Sequence, residues 1–243
     1  MKINKKITIG SIETENVRGL LFDIDGTLSD SDDHMVEKIC KVLSPVCWLF
    51  RKRDPETFAR WLVMAMETPA NFFYMIADSV GLDAVFARVY NWMAHRRKRE
   101  ITDDHFKIIP GTREMLEVLS KQFPMAVVSA RDALTTRHFL EHFDLLPFFQ
   151  AVVTSQTCKY TKPYPDPVLY AAQTLGVSPE NCLMIGDTVV DVRAGKAAGT
   201  QTVAVLCGFG RKSELIRAGA DLVLSTTSDL VEVFLEANLT GDN

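Results

Sequence analysis

The architecture turns on one stretch, Gly19-Leu20-Leu21-Phe22-Asp23-Ile24-Asp25-Gly26-Thr27. A short apolar run closed by acids, a glycine and a hydroxyl reads as a buried strand feeding a tight loop. Runs of the same kind recur at Ala126-Val127-Val128-Ser129, Ala151-Val152-Val153-Thr154 and Cys182-Leu183-Met184-Ile185-Gly186-Asp187, then at Thr202 to Leu206 and Asp221 to Leu224. Helix-period segments lie between them. Met115, Leu119 and Phe123 share one face of a helix begun at Pro110-Gly111-Thr112, and Val168, Ala172 and Leu175 share another, stopped by Gly176. Strands alternating with helices of this length predict a parallel sheet covered on both faces. Sites in such sheets form at the carboxyl ends of the strands.

The expected fold class is therefore α/β, a three-layer Rossmann-like core. One segment breaks the alternation. Residues 32–104 carry no strand signal, are rich in Leu, Met, Ala and aromatics, and hold all three tryptophans, Trp48, Trp61 and Trp92. Asp54-Pro55-Glu56 has the form of a helix start and Gly81 that of a break between helices. This predicts a helical insertion at 32–104 within an α/β core made of 1–31 and 105–243. Residues 1–18 contain few large apolar side chains and fit either a tail or an edge strand.

Composition excludes several classes of function. With 243 residues, 47% of them hydrophobic, the chain has enough apolar material for a sizeable core and is not a disordered sequence. A net charge of −4 gives no bulk attraction to nucleic acid. The run His95-Arg96-Arg97-Lys98-Arg99 has no interleaved aromatics for base stacking and reads as a solvated helix face. No apolar run approaches the ~18 residues that span a bilayer. The N-terminal residues lack a secretory apolar region. The five cysteines have no metal-ligand or redox spacing, which predicts reduced thiols in a cytoplasmic protein. The oligomeric state has no signature in the sequence.

The chemistry is in the acids. Asp23 and Asp25 point to one side of the first strand or converge at its end. Gly26 permits close backbone approach and Thr27 supplies a hydroxyl. Asp187 and Asp191 follow a later strand. Gathering four carboxylates costs about 4 kcal/mol per like-charge pair at ~4 Å and an effective dielectric of ~20, so the cluster requires a cation, a proton or both. Hard oxygen ligands favour Mg²⁺. Lys162, ahead of Pro163, offers a second positive charge.

Taken in order, Asp23-Ile24-Asp25-Gly26-Thr27, Ser129, Lys162-Pro163 and Gly186-Asp187-Thr188-Val189-Val190-Asp191 resemble the four motifs of the haloacid dehalogenase superfamily. The stretch Phe106 to Leu119 and Ala218-Gly219-Ala220-Asp221 resemble its phosphoglycolate phosphatase-like branch. The resemblance implies a Mg²⁺-dependent phosphatase that hydrolyses a small phosphorylated metabolite through an aspartyl-phosphate, with the 32–104 insertion as its helical cap domain. Asp23 is then the nucleophile and Asp25 the acid and base. Ser129 and Lys162 hold the phosphoryl group, with Thr27 in the same loop as a further substrate contact. Asp23, the Asp25 carbonyl and Asp187 are the implied metal ligands, and Asp191 orients a metal-bound water or Lys162. Ala130-Arg131 departs from the amide and lysine that many relatives carry there. Arg131 is thus a candidate substrate contact, with a loop salt bridge as the other reading. A phosphomutase, a phosphonate-cleaving relative and a non-catalytic binding protein remain the alternatives.

Overall fold

The computed structural model describes residues 9–30 and 106–240. These belong to one of the two compact units into which the chain divides, 1–30 with 106–243; the other unit is 31–105. The expected helical cap at 32–104, its tryptophans and the basic run at 95–99 lie outside the described residues.

Seven strands form one sheet: β1 (Ile9–Gly10), β2 (Gly19–Phe22), β3 (Met125–Val128), β4 (Ala151–Val153), β5 (Cys182–Gly186), β6 (Gln201–Val205) and β7 (Leu222–Leu224), in the order β1-β7-β6-β5-β2-β3-β4. The last six are mutually parallel, as the alternation predicts. The edge strand β1 pairs antiparallel with β7, Ile9 opposite Val223. Of the two readings open for the N-terminal segment, the edge strand is the one found for Ile9–Gly10.

Among the described residues there are six α-helices, in chain order α1 (Thr112–Leu119), α2 (Ala133–His142), α3 (Asp166–Leu175), α4 (Val189–Ala198), α5 (Lys212–Ala218) and α6 (Leu230–Thr240). Strand side chains alternate between two buried faces. Leu20, Phe22, Leu183, Ile185, Val203 and Val205 pack with Met115, Leu119, Phe139 and Leu230 from α1, α2 and α6. On the reverse face Leu21, Ala126, Val128 and Met184 meet Val168, Ala172, Ala194 and Ala198 from α3 and α4. A sheet buried on both sides needs continuous apolar strands, and that is how these strands read. The helix α1 is shorter than its apolar period suggested. It ends at Leu119, and Phe123 lies in the turn beyond, where its ring sits 4.8 Å from that of Phe234. Gly176 ends α3 in the left-handed region at φ 68°, as expected of a helix-stopping glycine.

The strand order fixes where a site can form. From β2 the chain steps outward to β3 and β4, then returns to the other side of β2 as β5 and runs outward again through β6 and β7. The order reverses at β2, so a crevice opens beyond the carboxyl ends of β2 and β5. No helix among the described residues is long and apolar enough to cross a membrane.

Candidate active site

Asp23 follows β2 directly. Its backbone N–H donates to the Ile185 carbonyl at 2.9 Å, which carries the β2–β5 ladder one residue further and locks the nucleophile candidate to the neighbouring strand. The chain then turns sharply. The Ile24 carbonyl accepts from the N–H groups of Thr27, Leu28 and Ser29 at 3.1, 2.8 and 2.8 Å. Gly26 sits at φ 69°, and a Cβ there would stand 2.3 Å from Asp187 Oδ2. Both backbone conformation and space require glycine at this position.

Asp187 follows β5 and is fully buried. Its Oδ2 accepts from the Phe209 backbone N–H at 2.7 Å. The loop after β6 closes over it: a Cβ on Gly208 would lie 2.1 Å from Asp187 Oδ2, and one on Gly210 would lie 1.9 Å from the Asp187 carbonyl oxygen. Sequence reasoning passed over Gly208-Phe209-Gly210. The available signal was a Gly-x-Gly at the carboxyl end of an apolar run, but the working donor is a backbone amide with no side-chain signature.

Asp191 lies in the first turn of α4 and divides its two oxygens. Oδ2 accepts from the Thr188 backbone N–H at 3.0 Å and from its hydroxyl at 2.7 Å, which caps the helix. Oδ1 accepts from the Lys162 ammonium at 2.6 Å. The same ammonium stands 2.8 Å from Asp23 Oδ1. Lys162 thus bridges a carboxylate from the end of β2 and one from α4, and all three groups are buried. Burial alone would lower the Lys162 ammonium, yet Asp191 and Asp23 outweigh it and raise it above the ordinary lysine value, which favours the charged form. Burial pushes the Asp23 carboxyl up to about 8, against the lowering by Lys162 and with Asp191 and Asp25 adding to the rise.

Ser129 ends β3, buried, and its N–H donates to the Val153 carbonyl at 2.9 Å. Its Oγ accepts from the Arg131 N–H at 3.2 Å. Arg131 reaches back across the sheet to Asp25: Nε donates to Oδ2 at 2.6 Å, and Nη2 pairs with Oδ1. Of the two readings of Arg131, its side chain makes the salt bridge here, and the partner is a site carboxylate. Thr27 is fully buried, and its carbonyl accepts from the Thr227 hydroxyl at 2.6 Å, which ties the loop to the segment ahead of α6.

Carboxylate oxygens of Asp23, Asp187 and Asp191 all lie within 4.8 Å of one another. Lys162 is the cation paired with two of them. Three buried carboxylates around one ammonium leave an excess negative charge, and the donors are hard oxygens. That donor set, with glycines holding side chains back from Asp187, fits a divalent cation. Asp191 is the least suited to ligate it, since both its oxygens are already engaged.

A family model for haloacid dehalogenase-like hydrolases matches residues 20–205. The chain is 31% identical over 218 residues to a phosphoglycolate phosphatase of Aquifex aeolicus, covering 89% of this chain and 96% of the relative. It is 26% identical to the pyrophosphatase PpaX of Anoxybacillus flavithermus, covering 90% and 97%. A solved hydrolase structure from Pseudomonas syringae superposes with a TM-score of 0.65 at 24% identity, covering 90% and 98%, and shares the fold. The match runs from the strand before Asp23 to the end of β6, and on that ground the chain belongs to the haloacid dehalogenase-like hydrolase family.

Proposed function

We propose that the protein is a Mg²⁺-dependent phosphatase of small phosphorylated metabolites, acting through an aspartyl-phosphate on Asp23. The observation that carries this reading is Asp23 itself. It is a buried carboxyl group at the point where strand order reverses, 2.8 Å from the Lys162 ammonium and within reach of Asp187. Oxygens of Asp23 and Asp187 with the Asp25 carbonyl would hold Mg²⁺, which supplies positive charge beside the phosphoryl oxygens and favours the ionised form of Asp23.

The chain's own groups perform the rest. Lys162 neutralises charge on Asp23 and on the phosphoryl group, and the Ser129 hydroxyl donates to a phosphoryl oxygen. An Asp23 oxygen attacks phosphorus as the ester P–O bond breaks, and the leaving oxygen takes a proton from Asp25. Asp25 then accepts a proton from water as that water attacks phosphorus. The Asp23–phosphorus bond breaks, and inorganic phosphate leaves. Asp191 keeps Lys162 in place. Substrate choice is assigned to the 32–104 segment, read as a cap. The names of the relatives make phosphoglycolate and pyrophosphate the first compounds to try.

The experiment is turnover of a phosphorylated-metabolite panel and a generic aryl phosphate by wild type and Asp23→Asn, with inorganic phosphate measured. Phosphate release abolished by Asp23→Asn, in a variant with unchanged circular dichroism, supports the reading. Residual activity above a few per cent removes Asp23 as nucleophile. An isomerised ester without phosphate release identifies a mutase.

A further inference from the structure

The mechanism above gives Arg131 no task, yet its side chain is among the best fixed in the site. The guanidinium lies against a pair of touching aromatic rings, 5.8 Å from the Phe106 centroid and 5.5 Å from that of Phe139. Nε and Nη2 take the two oxygens of Asp25, and Nη2 stands 3.5 Å from the Ser29 hydroxyl. The arginine side chain is 15% exposed and that of Asp25 34%, so the pair sits at the mouth of the site with the carboxylate the more open of the two. It also joins the loop after β2 to the loop after β3, 106 positions apart.

A two-point fork on a carboxylate sets its plane as well as its distance, which a lysine ammonium does not do. The ring pair removes most of the rotamer freedom that a long cation would otherwise keep. We propose that Arg131 is a positioning residue for proton transfer by Asp25: it holds that carboxyl group in the orientation from which it serves the leaving oxygen. This rests on the phosphatase reading. The proton balance is that of the two half-reactions. Asp25 gives its proton to the leaving oxygen as the ester bond breaks. The carboxylate so formed takes both guanidinium N–H bonds, and it recovers a proton from the water that cleaves the aspartyl-phosphate. Arg131 itself neither gains nor loses a proton.

The test uses two esters that differ in their need for an acid. 4-Nitrophenyl phosphate leaves as a weakly basic phenolate, whereas a simple alkyl phosphate leaves as a strongly basic alkoxide. Arg131→Met and Arg131→Lys are made in the full chain, and Arg131→Met also in an Asp25→Asn background. The expected loss in kcat/KM for Arg131→Met is about 100-fold on the alkyl ester and under about tenfold on the aryl ester. KM should stay within about threefold. Arg131→Lys, which keeps the charge without the fork, should fall between wild type and Arg131→Met. Arg131→Met should add no further loss once Asp25 is Asn. Equal losses on both esters overturn the proposal in favour of a general structural tie. A raised KM at unchanged kcat, or a full extra loss in the Asp25→Asn background, overturns it in favour of direct substrate contact. Should Arg131→Met fail to fold by circular dichroism, Arg131→Lys decides by the same ester ratio. No turnover of either ester by the wild type overturns the phosphatase reading itself, and is separable from every outcome above.

Discussion

Asp191 and Lys162 meet at 2.6 Å, and the acid does this while its other oxygen caps the helix it stands on. The lysine is therefore positioned by the first turn of α4 rather than by its own loop alone. Asp191→Asn keeps an oxygen for the cap but removes the charge opposite the ammonium. Turnover should drop about 10- to 100-fold, as for other residues that orient an active-site group. Stability should fall by about 1–3 kcal/mol, because a buried cation loses one of its two carboxylate partners. Steady-state hydrolysis and urea denaturation measure the two effects separately. A variant with unchanged turnover would free Lys162 from dependence on Asp191.

The Asp23 carboxyl gives a pH dependence of definite sign. Burial lifts it from the ordinary 3.8 to about 8 in the metal-free folded chain. The folded state then binds the proton more tightly than the unfolded chain between those two values. Stability from this group is complete below the lower value and is lost as pH rises through the upper one. In chelator, the urea midpoint of the wild type should decline toward mildly alkaline pH, and Asp23→Asn should flatten that decline. Parallel curves for the two proteins would show that Asp23 is already ionised without metal.

Much of this was legible because each strand, buried on both faces, is an apolar run that ends where its chemistry begins: Phe22 before Asp23, Val128 before Ser129, Ile185 and Gly186 before Asp187. The strand β1 was legible only as one of two readings, tail or edge strand, because two residues paired at a sheet edge have no period to detect. Phe123 kept the spacing of α1 after the helix had stopped, since a turn can hold the same apolar side chain against the core. The pairing of Arg131 with Asp25 had no local signal either. A contact across 106 positions depends on β2 and β3 lying side by side, and sequence spacing carries no such information.

Removing divalent metal should stop hydrolysis, and Mg²⁺ should restore it. The expectation follows from the proposed function and from the charge arrangement, with Asp23, Asp187 and Asp191 clustered and Lys162 shared between two of them. Asp187→Asn should weaken metal binding by more than about tenfold while Lys162 stays paired, because Asp187 approaches the cluster from β5 and the ammonium is held by Asp23 and Asp191. Calorimetric titration of Mg²⁺ into metal-free wild type and variant reads the affinity without reference to turnover. Hydrolysis that persists in excess chelator would remove the metal from the mechanism and leave Lys162 as the charge that matters.

Gly208→Ala should be far more damaging than its size suggests. The added Cβ would stand 2.1 Å from Asp187 Oδ2 and 2.7 Å from Asp187 Cβ, so either the carboxylate or the loop that carries the Phe209 N–H must move. Either shift disturbs the Asp187 carboxylate, a proposed metal ligand, and turnover should fall more than about tenfold while the bulk of the sheet stays folded. Gly176→Ala is the matched control. Gly176 stands at the end of α3 with φ 68°, and a Cβ there meets nothing within 4 Å. Its substitution should cost about 1 kcal/mol of backbone strain and leave turnover unchanged. Thermal melts and kinetics on the pair separate the two effects. Equal activity in both variants would show that the loop after β6 can move without disturbing Asp187.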